Sequence, residues 1–132
     1  IHGDPVFSNC LFTPDQTVKY IDMNGKIGNK LTTKGDCAYD LAKILQSLYG
    51  YDYVLLDVPI TNEDEAILSS LRSQFYEYVQ LHYTEVKTSD LRLITASLYA
   101  SLIPLHENTA HQSMFWKQFL RLFSKISQQD YR

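Results

Sequence analysis

Cysteine, proline, glycine and tryptophan are all scarce in this 132-residue chain, numbering two, four, five and one. Each scarcity removes a class of protein. Cys10 and Cys37 show no C-x-x-C spacing and are too few for a disulfide scaffold, so they read as reduced thiols in a cytoplasmic protein. So few glycines and prolines beside 45% hydrophobic residues exclude collagen-like, coiled-coil and disordered chains. An excess of basic residues is missing too. With 12 basic against 15 acidic side chains, a net charge of -3 and a pI near 5.7, the chain lacks the basic face of a nucleic-acid binder. No apolar run reaches the roughly 20 residues of a membrane span. Internal repeats, low-complexity tracts and Gly/Ser linkers are absent. So is an initiator Met, since the chain opens on Ile1-His2-Gly3-Asp4, and we expect a fragment of a longer chain.

What is present suits a single domain over 1–132, long enough to bury roughly two-thirds of its unfolded surface. It divides by pattern at about residue 35. Residues 1–35 are rich in Gly, Asn, Asp, Thr and Pro and hold two short β-type runs, Cys10–Thr13 and Thr17–Ile21. Pro14-Asp15-Gln16 between them is turn chemistry and predicts a hairpin. Asn24-Gly25 and Gly28-Asn29 then mark an irregular loop running to Gly35.

From Asp36 the period turns helical. Leu41, Ile44, Leu45 and Leu48 form one apolar stripe, with Asp36 placed to cap it and Gly50 to stop it. Tyr51 to Ile60 reads as a connector. Thr61 with Asp64, or Asn62 with Glu65, opens a second helix whose stripe is Ile67, Leu71, Phe75, Tyr78 and Val79. A third starts near Ser89, aligns Leu91, Ile94, Leu98 and Leu102, and stops before Pro104. A fourth, from about Thr109, carries Phe115, Trp116, Phe119, Leu120, Phe123 and Ile126, read as core. The fold class expected is therefore mostly α with a small β-hairpin: a helical bundle over 36–132 beneath a polar segment that carries the chemistry.

That chemistry lies in His2-Gly3-Asp4-Pro5-Val6-Phe7-Ser8-Asn9 and Ile21-Asp22-Met23-Asn24-Gly25. A hairpin turning about Asp15-Gln16 sets Asn9 opposite Asp22, with Cα atoms about 4.5–5.5 Å apart and side chains on one face. A carboxamide oxygen and a carboxylate so placed can both reach one Mg²⁺. A one-residue slip would turn one of them away. Asp4, in the loop before the strand, can approach the ion's substrate without becoming a ligand. The arrangement suits phosphoryl transfer, which needs positioning and charge neutralisation more than covalent chemistry.

The string H-G-D-x-x-x-x-N, spanning His2 to Asn9, followed a dozen residues later by hydrophobic-Asp22, resembles the aminoglycoside phosphotransferase and choline kinase family. Gly35-Asp36-Cys37-Ala38-Tyr39-Asp40-Leu41-Ala42 is similar to that family's G-D-x-x-Y-D-L-A element. The resemblance covers about the first 50 residues and implies the C-terminal lobe of a protein-kinase-like fold. It implies Asp4 as the catalytic base, Asn9 and Asp22 as Mg²⁺ ligands, and His2, Gly3, Asp36 and Asp40 as supports, Asp40 holding the loop or capping a helix. ATP would be the nucleotide and a small-molecule hydroxyl the acceptor. The longer run through Tyr39–Gly50 also resembles phosphotransferase domains of surface-polysaccharide (capsule) biosynthesis. Asn24 stands where choline kinases usually carry an acidic residue, so a second metal ligand is missing there. The family's nucleotide-binding lobe, with a glycine loop and a strand-borne lysine, would lie upstream. Lys26, Lys30 and Lys34 read as solvated loop lysines, so we expect the isolated chain to be catalytically crippled. The alternative reading is a non-catalytic kinase-like interaction module that uses its helical face for protein contact.

Three other patterns are weaker. His106 and His111 flank a Glu in a zinc-protease-like string, but a spacing of five puts them about 140° apart on a helix. Ser8, His2 and Asp4 crowd one loop without a G-x-S-x-G elbow, against a hydrolase triad. Tyr76, Tyr83, Tyr99 and Trp116 suit an acceptor lining or core packing equally.

Overall fold

A computed structural model describes residues 1–127, and side chains up to residue 125. Two antiparallel hairpins precede five α-helices. The first hairpin pairs β1 (Cys10–Phe12) with β2 (Val18–Tyr20), and the second pairs β3 (Lys26–Ile27) with β4 (Lys30–Leu31). The helices are α1 (Cys37–Leu48), α2 (Tyr51–Leu55), α3 (Asn62–His82), α4 (Thr88–Leu102) and α5 (Thr109–Ser127). Mostly helical with small antiparallel β elements is thus the architecture, and no described helix is long and apolar enough to cross a membrane.

The first hairpin is offset by one residue from the expected register. Cys10 faces Tyr20, Leu11 faces Lys19 and Phe12 faces Val18, so the turn centres on Asp15. The cause is local. Thr13 N–H donates to Thr17 O at 2.9 Å, closing a three-residue loop, and Gln16 takes a left-handed φ of 63°. That is a type I turn followed by a left-handed residue, here without the usual glycine. Asp15 accepts from the Thr13 and Thr17 hydroxyls, and these bonds hold its carboxyl below the usual range. The stretch expected as an irregular loop holds the second hairpin, since Gly28-Asn29, with Gly28 at φ 58°, makes a two-residue turn.

The helix starts follow their caps. Asp36 accepts from Ala38 N–H at 2.9 Å, and Thr61 with Asp64 forms a reciprocal capping box on α3. Gly50, at φ 92°, ends α1, but the chain re-enters a helix at once as α2, where a connector was expected. Leu41, Leu45, Leu48, Leu91, Leu98, Tyr99, Leu102 and Phe115 form the core, with α4 packed on both α1 and α5. Tyr99 donates across that interface to Gln46 O at 2.8 Å, a core role rather than a lining one.

Two stripes differ from expectation. On α3 the buried residues are Leu68, Arg72 and Val79, while Ile67, Leu71 and Tyr78 are exposed. The helix is turned by one residue because Arg72 is drawn inward. Its guanidinium donates to the Leu48 carbonyl at the C-terminus of α1 and to Glu65, both at 2.7 Å, and stacks on Tyr49. A charged donor on an orphan helix-end carbonyl outweighs the burial of one more leucine edge. On α5, Phe115 and Leu122 are buried, whereas Trp116, Leu120 and Phe123 are about half exposed. Trp116, Phe119 and Phe123 stack on one another along the helix, and Phe119 also packs against the core as expected. The Ile126 side chain lies outside the described residues.

Candidate active site

The loop from His2 to Asn9 has no regular ladder, so its backbone donors need partners from elsewhere. Helices α1 and α2 supply them. The Asp40 carboxylate accepts from His2 N–H at 2.6 Å and Gly3 N–H at 2.9 Å. Ser47 Oγ accepts from Phe7 N–H at 2.9 Å, and Asp52 Oδ1 accepts from Ser8 N–H at 2.8 Å. Asp36 is occupied as the α1 cap, which leaves Asp40 as the loop's holder. Gly3 is buried at φ 87°, and a Cβ there would lie 2.9 Å from Asn24 Cβ. This close approach lets Asn24 N–H donate to His2 O at 2.9 Å, tying the segment after Asp22 to the loop that carries Asp4.

Asp4 sits between two partners. Lys43 Nζ is 3.0 Å from Oδ1, and Asn9 Nδ2 donates to Oδ2 at 3.2 Å and to the Asp4 carbonyl at 3.0 Å. His2 Nδ1 accepts from Asp4 N–H at 3.2 Å, which puts the ring proton on Nε2 and gives His2 a loop-ordering role. Burial first, and the Asp4 and Asp52 carboxylates second, push the Tyr51 phenol above its usual range and keep it protonated. A cavity of about 350 Å³, lined in part by Gly3, Asn24, Lys26, Asp36 and Tyr39, opens beside the loop. Another of about 320 Å³ reaches His2, Tyr20 and Asp40.

Asn9 and Asp22 are not the cross-strand pair expected of them. Ile21 N–H donates to Asn9 O at 3.0 Å, so Asn9 faces Ile21 and Asp22 lies one position beyond. Neither residue is in a strand. Asn9 ends a 3-10 turn (Phe7–Asn9), and Asp22 is left-handed at φ 55°, so strand alternation does not fix which way either side chain points. Asp22 is exposed and makes no hydrogen bond or ion pair among the described residues. Asn9 has spent its amide N–H₂ on Asp4, which leaves Oδ1 as its remaining ligand atom. Among the described residues no three His, Cys, Asp or Glu side chains gather as a metal centre. A carboxamide oxygen and an uncommitted carboxylate nonetheless match in kind the one or two protein oxygens Mg²⁺ takes when water and phosphate complete its shell.

Three partners of the loop escaped the sequence reading, Lys43, Ser47 and Asp52. Lys43 and Ser47 had only a weak signal: with Asp36 and Asp40 they recur at helical spacing beside the leucine stripe, but a polar face is what any surface helix shows. Asp52 had none, because α2 itself was not foreseen. His106 and His111 both pack against the core's Phe115, their rings 6.1 Å apart, and His111 Nε2 lies 2.6 Å from Asp57 Oδ1. Comparison with family models, curated proteins and solved structures returns no match.

Proposed function

We propose that the chain is the helical lobe of a kinase-like small-molecule phosphotransferase, transferring the γ-phosphoryl group of ATP to an acceptor hydroxyl. The observation that carries this reading is the setting of Asp4: a partly exposed carboxylate on a loop whose backbone donors are tied down by Asp40, Ser47 and Asp52. Such immobilisation suits a reaction in which positioning supplies most of the rate. Asp4 accepts the acceptor's hydroxyl proton as the new O–P bond forms and the bond to the departing ADP oxygen breaks. Asn9 and Asp22 would hold Mg²⁺, which when bound neutralises phosphate charge. The cavity beside Gly3 has the volume of a small-molecule site, at the low end of the usual range. Capsule or other surface-polysaccharide synthesis is the setting this reading favours.

Asp4→Asn in the full-length protein tests it. Mg²⁺-nucleotide binding should stay within about twofold of wild type while turnover falls by about 10²–10⁴-fold. Equal loss of both argues against a base. A second reading, a non-catalytic module that binds protein through its helical face, has its own support in the exposed Trp116, Leu120 and Phe123 of α5. Under that reading Asp4→Asn leaves partner binding unchanged, whereas Trp116→Ala with Phe123→Ala removes it.

A further inference from the structure

Lys43 is largely withdrawn from solvent against the candidate base. Its side chain is 13% exposed, and its Nζ lies 3.0 Å from Asp4 Oδ1. Withdrawing an ammonium from water is unfavourable unless a counter-charge offsets it, and here that counter-charge is Asp4. The geometry separates the two carboxylate oxygens. Oδ1 is buried and makes no directional hydrogen bond, so charge attraction to Lys43 is what holds it. The Asp4 side chain as a whole is nevertheless 39% exposed, which leaves Oδ2 as the oxygen a substrate can approach. Oδ2 accepts one long bond from Asn9 and keeps lone pairs to spare.

We infer that Lys43 is a positioning residue, resting on the phosphotransfer reading: it draws Oδ1 inward so that Oδ2 is presented to the acceptor hydroxyl. It gives up no proton, since the hydroxyl proton goes to Oδ2. Without Lys43 the carboxylate can rotate about χ1, and misplacement of a reacting group by about 1 Å costs on the order of 100-fold in rate.

The test uses the full-length protein with Mg²⁺-ATP, reading ADP release with glycerol as probe alcohol and with water. Lys43→Met should lower kcat by about 100-fold and leave the KM for ATP within about threefold. Lys43→Arg, which keeps the charge, should recover most of the loss. In an Asp4→Asn background Lys43→Met should change nothing further, because the two act as one unit. Acetic anhydride labelling read by mass spectrometry supplies an arm independent of activity: Lys43 should be protected relative to Lys26, and Asp4→Asn should remove that protection.

The failures are distinguishable. A wild type that releases no ADP defeats the phosphotransfer reading, and with it the positioning role. A wild type whose rate Lys43→Met preserves defeats the Lys43 role alone. A Lys43→Met loss that persists in the Asp4→Asn background moves Lys43 onto the phosphate and overturns positioning. Lys43 labelling equal to that of Lys26 in the wild type removes the ion pair, and the inference falls whether or not nucleotide is turned over.

Discussion

Asp40→Ala removes a carboxylate that two backbone donors share, at 2.6 and 2.9 Å. A hydrogen bond to a charged group contributes about 1.5–3 kcal/mol, and the partial exposure of this one argues for the lower end, since water can reach the abandoned N–H groups. Two such bonds come to about 3 kcal/mol, a sizeable part of a typical total of 5–15. The loss should fall on the loop before it falls on the core. No buried leucine touches Asp40's role, and local opening draws on the weakest region first. The assay is therefore hydrogen exchange resolved at His2 and Gly3, where protection should drop by about 100-fold, the factor that about 3 kcal/mol represents. Exchange in α4, at Leu98 and Tyr99, should barely move. Asp36→Ala, which removes a cap and no loop bond, should cost about 1 kcal/mol and leave His2 and Gly3 protected. Asp40→Ala with unchanged exchange at His2 and Gly3, or with a loss spread evenly into α4, would refute the anchoring role.

Gly3→Ala should destabilise the loop by about 2–3 kcal/mol, because φ 87° is unfavourable for any Cβ and this one would meet Asn24 Cβ at 2.9 Å; denaturant midpoints read it. Asp22→Ala in the full-length protein should raise the Mg²⁺ concentration for half-maximal turnover by at least about tenfold, and an unchanged Mg²⁺ dependence would remove Asp22 from the ligand set. Thr61→Ala should cost about 1 kcal/mol by dismantling the α3 capping box, measured by thermal melting. Glu65 gives a pH signature. Partial burial works to raise its carboxyl, but Arg121 and Arg72 together outweigh that and hold it below its usual value. A depressed folded-state value means stability present above the unfolded pKa and lost as pH falls through the folded one. Acid titration of stability should therefore flatten below about pH 4.5 in Glu65→Gln, and a curve parallel to wild type would exclude the clamp.

Helices α1 and α3 were legible in the sequence because their start signals are chemical. Asp36 and Thr61 satisfy specific orphan N–H groups, and Gly50 takes a φ that other residues avoid. The rotation of α3 was not legible, because it depends on a contact 24 residues away between Arg72 and the Leu48 carbonyl. An arginine beside Leu71 reads as surface until the neighbouring helix end is known. The hairpin register failed for a smaller reason. Pro14-Asp15-Gln16 fits a two- or three-residue loop equally, and the left-handed residue that decides between them is Gln16, which carries no glycine signal. That one-residue difference changed the partner of Asn9 from Asp22 to Ile21.

The Asp4 loop keeps its order despite this change, because side chains of α1 and α2 hold it rather than strand pairing. Its order comes from α1, a helix with two working faces. Leu41, Leu45 and Leu48 bury one face against α4, while Asp40, Lys43 and Ser47 meet the Asp4 loop with the other. Asp40 and Ser47 fix backbone N–H groups at the two ends of the loop, and between them Lys43 fixes the one side chain that bears the proposed chemistry. A polar residue on that face contributes only while the apolar face keeps α1 in place, so the stability of the core and the order of the loop are coupled through a single helix. Leu45→Ala should accordingly loosen His2 and Gly3 as well as the core, whereas Asp40→Ala should loosen the loop and spare the core. That asymmetry is what a helix acting as the loop's foundation requires, and a loop held by its own hairpin would not produce it.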